Sequence, residues 1–254
     1  MKITDTHAHL YMKEFKKDIY DVIKRAMNQD INRFFLPSID SSTIPDIIEL
    51  EKKYPNICFS MIGLHPNNVF PDTIETELNN IKKYLSKHHF LSIGEIGIDL
   101  HFSKKFLLEQ EYAFVNQIKL AKYNKLPIII HCRNSFHKVI KILEENSYDK
   151  GIFHCFSGNL EEAIKITDLG MKLGIGGIIT FKNNHIDKFL HKISIDNIVL
   201  ETDCPYLSPH PFRGKRNEPS RLRIILNKLS KIYSLPEEII AKSIEKNVDD
   251  LFFQ

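Results

Sequence analysis

Four imidazoles and two carboxylates in this 254-residue chain have the types and surroundings to do metal chemistry. His7 and His9 close the opening run Met-Lys-Ile-Thr-Asp-Thr-His-Ala-His. Glu95 lies in Gly-Glu-Ile-Gly-Ile-Asp, His131 in Ile-His-Cys-Arg, His154 in Phe-His-Cys-Phe-Ser-Gly, and Asp203 in Glu-Thr-Asp-Cys-Pro. Side chains two apart on a strand share a face, so His7 and His9 make half of a divalent-metal site. A His-x-His pair alone is a weak signal and suits a surface loop equally well. The larger set suits zinc, manganese or iron(II) better than calcium. It exceeds what one tetrahedral zinc with an open position uses. It matches two ions about 3.5–4 Å apart that share a ligand. Glu95 is the expected bridge, because each of its oxygens can take one ion. His7, His9 and Asp203 are expected on one ion, His131 and His154 on the other.

These residues must be positioned by something, and short apolar runs supply it. Candidate strands are Ile3–His7, Arg33–Pro37, Ile57–His65, Leu91–Gly97, Leu126–His131, Gly151–Phe156, Met171–Gly176 and Asn197–Thr202. Helical spacing lies between them: Phe114, Ile118 and Ala121 fall on one helix face. Asn159 with Glu162 forms a capping pair, and Ser234 with Glu237 reads as a capping box with Pro236 in the first turn. Runs such as Pro127-Ile128-Ile129-Ile130 are continuously apolar, as in a parallel sheet covered by helices. The expected fold is an α/β class (β/α)8 TIM barrel, a single domain over 1–254, with an additional C-terminal helix closing over its outside. An open doubly wound sheet is the alternative, but no Gly-rich dinucleotide fingerprint follows the first strand. In a parallel barrel the five strand ends bearing these side chains, and a sixth ending at His65, meet at one mouth.

Composition narrows the class without naming an activity. The chain is 43% hydrophobic and 26% charged, ordinary for a globular protein with a sizeable core. No apolar run approaches the ~18 residues that span a bilayer. The N-terminus carries Asp5, His7 and His9 where a signal peptide needs apolar residues, so a cytoplasmic protein is expected. Cys58, Cys132, Cys155 and Cys204 form no Cys-x-x-Cys pair. Three of them follow His131, His154 and Asp203, and strand alternation turns them toward outer helices as small buried residues. The net charge of +3 says little about partners. Between Arg213 and Lys231, however, seven basic residues face one acid, Glu218. That stretch is either a phosphate-attracting patch or a solvated helix face.

The segments Asp5-Thr6-His7-Ala8-His9-Leu10, Gly63-Leu64-His65-Pro66, Gly94-Glu95-Ile96-Gly97-Ile98-Asp99, Ile130-His131-Cys132-Arg133, Phe153-His154-Cys155-Phe156-Ser157-Gly158, Thr180-Phe181-Lys182-Asn183, Leu200-Glu201-Thr202-Asp203-Cys204-Pro205-Tyr206-Leu207 and Arg213-Gly214-Lys215-Arg216-Asn217-Glu218-Pro219 span almost the whole chain. In them the sequence resembles the TatD-related metal-dependent deoxyribonucleases of the amidohydrolase superfamily. The resemblance implies a TIM barrel, a two-metal site with the six ligands above, and hydrolysis of phosphodiesters at DNA ends. Two departures stand out. Where the family usually has Gly-x-Asp-Tyr-Tyr, this chain has Gly97-Ile98-Asp99-Leu100-His101, without an aromatic to stack on a base, although His101 could add a polar contact. Ser220 replaces a common small alanine.

The expected cofactor is a pair of divalent ions, zinc, manganese or magnesium, and the expected partner is DNA or another nucleic acid as substrate, with no membrane and no obligate protein partner. Asp203 is the expected general base, because it would touch both a metal and the attacking water. His65 is expected to contact phosphate or assist the leaving group, or else to order the loop before Pro66. Arg133 either holds a phosphate bidentately or pairs with Asp99 or Glu201. Ser157, Gly158 and Asn159 precede a helix, so their amides offer an anion seat. Glu201 shares Asp203's side of the strand and could orient a histidine ligand. Arg213 and Lys215 are expected to reach substrate phosphates from the rim, or to pair with Glu218. The competing chemistry is attack on an ester or amide, as in a D-aminoacyl-tRNA deacylase or a small-molecule amidohydrolase. A carboxylated lysine often bridges such metal pairs, and this chain offers Glu95 instead. A non-catalytic metal or nucleic-acid binding protein would be expected to lack a ligand.

Overall fold

The computed structural model describes residues 2–101 and 103–253. Among the described residues eight strands run in chain order: β1 Ile3–Asp5, β2 Ile31–Leu36, β3 Cys58–Ser60, β4 Ile93–Asp99, β5 Ile128–Arg133, β6 Gly151–Phe153, β7 Lys172–Ile175 and β8 Ile198–Leu200. All ladders are parallel between sequence neighbours, β1 to β3 and β4 to β8. Two short bridges join these sheets. Ala8 pairs with Cys204 across the β1/β8 seam, and Ile62 with Ile93 across the β3/β4 seam. At the first seam Thr6 N donates to Leu200 O (2.9 Å), Asp203 N to His7 O (2.9 Å) and His9 N to Cys204 O (2.8 Å). The cylinder therefore closes where the ligand candidates lie, and the closing bonds hold His7, His9 and Asp203 together.

The helices are α1 Ile19–Met27, α2 Ile44–Lys53, α3 Ile74–Leu85, α4 Leu107–Asn124, α5 Phe136–Glu145, α6 Leu160–Asp168, α7 Leu222–Tyr233 and α8 Glu237–Phe252. Phe114, Ile118 and Ala121 are buried along α4, as their spacing requires. Asn159 and Glu162 form the expected reciprocal cap of α6. Ser234 does not cap α8. It adopts φ 53° at the end of α7, and α8 starts after Pro236, so the Ser-x-x-Glu spacing coincides with a chain reversal. Between β7 and β8 short 3-10 turns replace a full α-helix. β1, β3, β6, β7 and β8 are shorter than the apolar runs that announce them, whereas β2, β4 and β5 are as long or longer.

Strand alternation layers the interior. Met61, Ile129, Ile152 and Val199 lie two residues before Gly63, His131, His154 and Glu201 on the same strand faces, and they cluster with Phe35. Val248 and Leu251 of α8 join that cluster, and Phe252 packs against it. The C-terminal helix thus closes the barrel end opposite the mouth, rather than lying only along its outer wall. Its anchor is polar. Arg33, 5% exposed, donates from Nη2 to Glu245 Oε2 (2.6 Å), from Nη1 to Asp249 Oδ1 (2.7 Å) and from Nε to Thr4 Oγ1 (2.7 Å). Removing one partner of a buried pair strands the other's charge. Arg33→Ala is expected to cost about 3 kcal/mol, roughly 10 °C in thermal midpoint. A melting curve within two degrees of wild type would refute this.

Candidate metal centre

Glu95, 3% exposed, sits at the centre of the mouth with imidazoles on both sides. Its Oε2 lies 3.2 Å from His7 Nε2 and 3.8 Å from His9 Nε2. Asp203 Oδ1 completes this first nest, 3.7 Å from His7 Nε2 and 3.4 Å from His9 Nε2. The other Glu95 oxygen, Oε1, lies 2.7 Å from His131 Nδ1, 3.1 Å from His154 Nε2 and 3.3 Å from His65 Nε2. The Glu95 carboxylate therefore faces two donor clusters with one oxygen each, as a bridging ligand would.

Backbone geometry makes this convergence possible. Gly97 has φ 141°, and a Cβ there would lie 2.0 Å from His131 O, so only glycine lets β4 and β5 approach this closely. Cys155 (φ 50°) and Asp203 (φ 57°) hold left-handed conformations that cost non-glycine residues about 1–2 kcal/mol. At Asp203 the turn directs the carboxylate toward His7 and His9. At Cys155 it overturns the expectation of an outward-facing thiol: Cys155 is half-buried and lines the mouth with Asp203, as does Cys132, whereas Cys58 and Cys204 are buried.

Outer partners fix which ring nitrogen His9, His131 and His65 present. Tyr11 Oη donates to Pro37 O (2.9 Å), so its oxygen accepts from His9 Nδ1–H (2.9 Å), which leaves His9 Nε2 a bare lone pair. Asp99 Oδ2 lies 2.9 Å from His131 Nε2 and assigns the proton there, freeing Nδ1. Glu201 Oε1 lies 3.2 Å from His154 Nδ1 without a hydrogen bond between them, so at His154 only the proximity of a carboxylate favours a proton on Nδ1. His65 is the opposite case. Its Nδ1 accepts from Asn67 N (3.0 Å), so Nε2 carries the hydrogen and is a donor. By this assignment His65 belongs beside the metals as a hydrogen-bond donor, although it is near enough to ligate.

Electrostatics follow the same layout. Burial penalises charge on Glu95, but His154, His65 and His7 hold its carboxyl well below the usual range. Burial likewise works against Asp203, and the His9 hydrogen bond draws it down. Burial lowers His7 and His65 and keeps them neutral. For His131 and His154 burial is outweighed by the carboxylates, Asp99 and Glu95 for the first and Glu95 and Glu201 for the second, and both are raised. Asp99, despite burial, is drawn down to about 2, chiefly by His131. Nδ1 of His7, Nδ1 of His154 and Oε2 of Glu201 are buried without hydrogen bonds. Four imidazoles and two carboxylates whose free lone pairs converge fit divalent cations, and crowding of this kind is costly without them.

Sequence reasoning considered Asp99 only as a partner for Arg133 and missed its contact with His131. Its signal was alternation, since Glu95, Gly97 and Asp99 share a strand face. Asp99→Asn is expected to weaken metal binding at the His131 side about 10–100-fold with little change in the melting of chelated protein. Unaltered affinity in a metal titration would remove Asp99 from this role.

The predicted substrate contacts are met unevenly. Arg133 and Ser157 line the mouth cavity with His131, His154 and Asp203. The amide of Asn159 is occupied by Glu162 Oε2 (3.0 Å), so the anion seat narrows to Ser157 and Gly158. Arg213 donates to Ser208 O (3.1 Å) and lies 3.7 Å from the Phe181 ring centroid. Glu218 is the partner of neither Arg213 nor Lys215: it pairs with Arg25 (2.7 Å) and approaches Arg216 (3.9 Å). Lys215 is exposed on the same turn as Arg213. Further along, Arg216, Arg223 and Lys228 pair with Asp18, Glu237 and Asp187, so much of the basic stretch is neutralised within the fold. Among the described residues, no helix is long and apolar enough to cross a membrane.

Comparison with known proteins gives a consistent picture. Residues 4–253 match the family model described as TatD related DNase. The uncharacterized metal-dependent hydrolase YabD of Bacillus subtilis is 38% identical over 251 residues, 98% of each chain. A similarly described protein of Buchnera aphidicola, BU355, is 35% identical over 99% of each chain. The crystal structure of YjjV, a TatD homologue from Escherichia coli, superposes with a TM-score of 0.93 at 27% identity, covering 98% of this chain and 97% of that one. A TatD family hydrolase from Entamoeba histolytica shares the fold, with a TM-score of 0.86 at 24% identity.

Proposed function

The chain belongs to the TatD-related DNase family of metal-dependent hydrolases, and from that premise we propose that it hydrolyses phosphodiester bonds in DNA with two divalent ions at the Glu95 cluster. The observation that carries this reading is the split environment of Glu95, one oxygen toward His7 and His9, the other toward His131 and His154. His7, His9 and Asp203 would hold one ion and His131 and His154 the other, with Glu95 between them. When bound, such ions act as Lewis acids on water and on phosphoryl oxygens.

The chain's own groups do the rest. Asp203 is 14% exposed at its side chain, the more open of the two carboxylates facing the first nest, and takes the proton from the attacking water. His65 presents Nε2–H toward the cluster and donates to the phosphate or to the departing oxygen. Arg133, Ser157 and Gly158 lie on the side where the rest of the phosphate would sit. Arg213 and Lys215 hold a more distant phosphate from the exposed turn. The same reading takes residues 1–254 as one domain working in the cytoplasm, in keeping with its free cysteines.

The experiment is hydrolysis of end-labelled single- and double-stranded DNA by protein reconstituted with zinc, manganese or magnesium, beside RNA and a D-aminoacyl-tRNA. Metal-dependent release of nucleotides from DNA is expected. Cleavage of the aminoacyl ester alone would replace the nuclease reading with a deacylase. Full-rate DNA cleavage after chelation would sink the two-metal mechanism.

A further inference from the structure

Beside the mouth lies a second cavity, reached by only one of the assigned metal ligands, His154, and bordered by the Ser157–Gly158 anion seat. The mouth cavity, about 400 Å3, and this neighbour, about 300 Å3, share Cys132, His154 and Ser157 as a common wall. The second cavity opens between the starts of α5 and α6. Phe153 and Ile166 form its buried floor, and Phe136 and Phe156 its sides. Phe153 is there because Ile152 and His154 face the barrel interior, so the residue between them points outward toward the helices. A polar edge is supplied by Asn134 and Glu162.

We propose that this cavity receives the nucleobase of the nucleotide whose phosphate lies at the Glu95 cluster. The inference rests on the phosphodiesterase reading and names the part of the substrate that reading leaves unplaced. Three phenylalanine rings and an isoleucine offer planar apolar surface of the kind on which bases stack. The volume is at the small end of ligand clefts, suited to a single ring system. Beyond the Ser157 and Gly158 amides at its edge, the cavity offers little to a second phosphate: its described lining has a carboxylate, Glu162, two imidazoles, His137 and His154, and no lysine or arginine. Glu162 Oε2 accepts one bond, from Asn159 N, and a carboxylate has lone pairs left for the ring N–H or amino group of a base. The amide of Asn134 can both donate to and accept from a base edge, as pockets that read an extruded base do. The two cavities adjoin at His154 and Ser157, so the proposal places a base in one beside its phosphate in the other.

The test is calorimetric binding of thymidine 5′-monophosphate and of 2-deoxyribose 5-phosphate to manganese-loaded protein, which measures affinity without any turnover. Thymidine 5′-monophosphate is expected to bind about tenfold more tightly. Phe136→Ala is expected to narrow that ratio to within about twofold; if it does not fold, Phe136→Leu, which keeps apolar bulk without the ring, takes its place. Equal affinities in the wild type would overturn the base subsite and leave the phosphate reading standing, as would a ratio that neither variant changes. If neither ligand binds, the phosphodiesterase reading falls, and the subsite with it.

Discussion

Glu95→Gln is expected to lower kcat on DNA by about a thousandfold or more and to reduce bound metal from two ions to at most one. The side chain keeps its size, so the core beneath it is undisturbed. What changes is that one oxygen becomes an NH2 group, which has no lone pair for an ion. Imidazoles lie on both sides of this carboxylate, at 3.2 Å and 3.8 Å from Oε2 and at 2.7–3.3 Å from Oε1, so either amide orientation disables one nest. The chelated variant should remain folded, because the substitution preserves volume, although it loses the charge that raises His131 and His154. Metal analysis and melting curves separate the outcomes. Two ions retained with activity near wild type would mean that Glu95 does not bridge.

The second large effect is that of the metal on stability. Removing metal by chelation is expected to abolish hydrolysis and to lower the thermal midpoint by about 10 °C or more. At a hundredfold excess over Kd each site contributes about 2.7 kcal/mol through mass action, so two sites contribute roughly 5 kcal/mol. The structural reason is the donor set, whose lone pairs converge in a buried space and repel one another without a cation. Re-adding zinc or manganese should restore both the midpoint and the activity. A midpoint indifferent to chelation would show that the cluster does not hold metal in the folded protein. The Arg33 anchor provides the contrast, since Arg33→Ala should shift the midpoint equally with and without metal.

Much of this organisation was legible in the chain itself. Period-two alternation puts His7 with His9, Glu95 with Asp99, and Glu201 with Asp203 on shared strand faces. Parallel strands separated by helices must end at one mouth. Residue type then selects the chemistry, because imidazoles and carboxylates at that mouth have few other collective uses. The cap of α6 was legible for the same reason: Asn159 and Glu162 act on each other within one turn. Local patterns mislead where the partner is distant. Ser234 and Glu237 satisfy the spacing of a capping box, yet the packing of α7 against α8 needs a left-handed reversal at Ser234. The basic residues from Arg213 to Lys231 read as a phosphate patch until acids far away in sequence, Asp18 and Asp187, and Glu237 on the next helix take several of them.

By itself, then, the order of residues determined the barrel, its mouth and the six donor side chains, because each depends on periodicity along one strand and on side-chain type. Tertiary structure alone decided how those donors divide. The β1/β8 seam brings Asp203 to His7 and His9, and the left-handed turn at Cys155 opens its thiol to the mouth. Which ring nitrogen His9, His131 and His65 present depends on Tyr11, Asp99 and Asn67, partners met only across strands and loops. Those contacts separate His65, a donor, from His9 and His131, whose inward nitrogens are left to a metal. A proton's position is set by the neighbour that accepts it, and that neighbour is known only once the chain has folded.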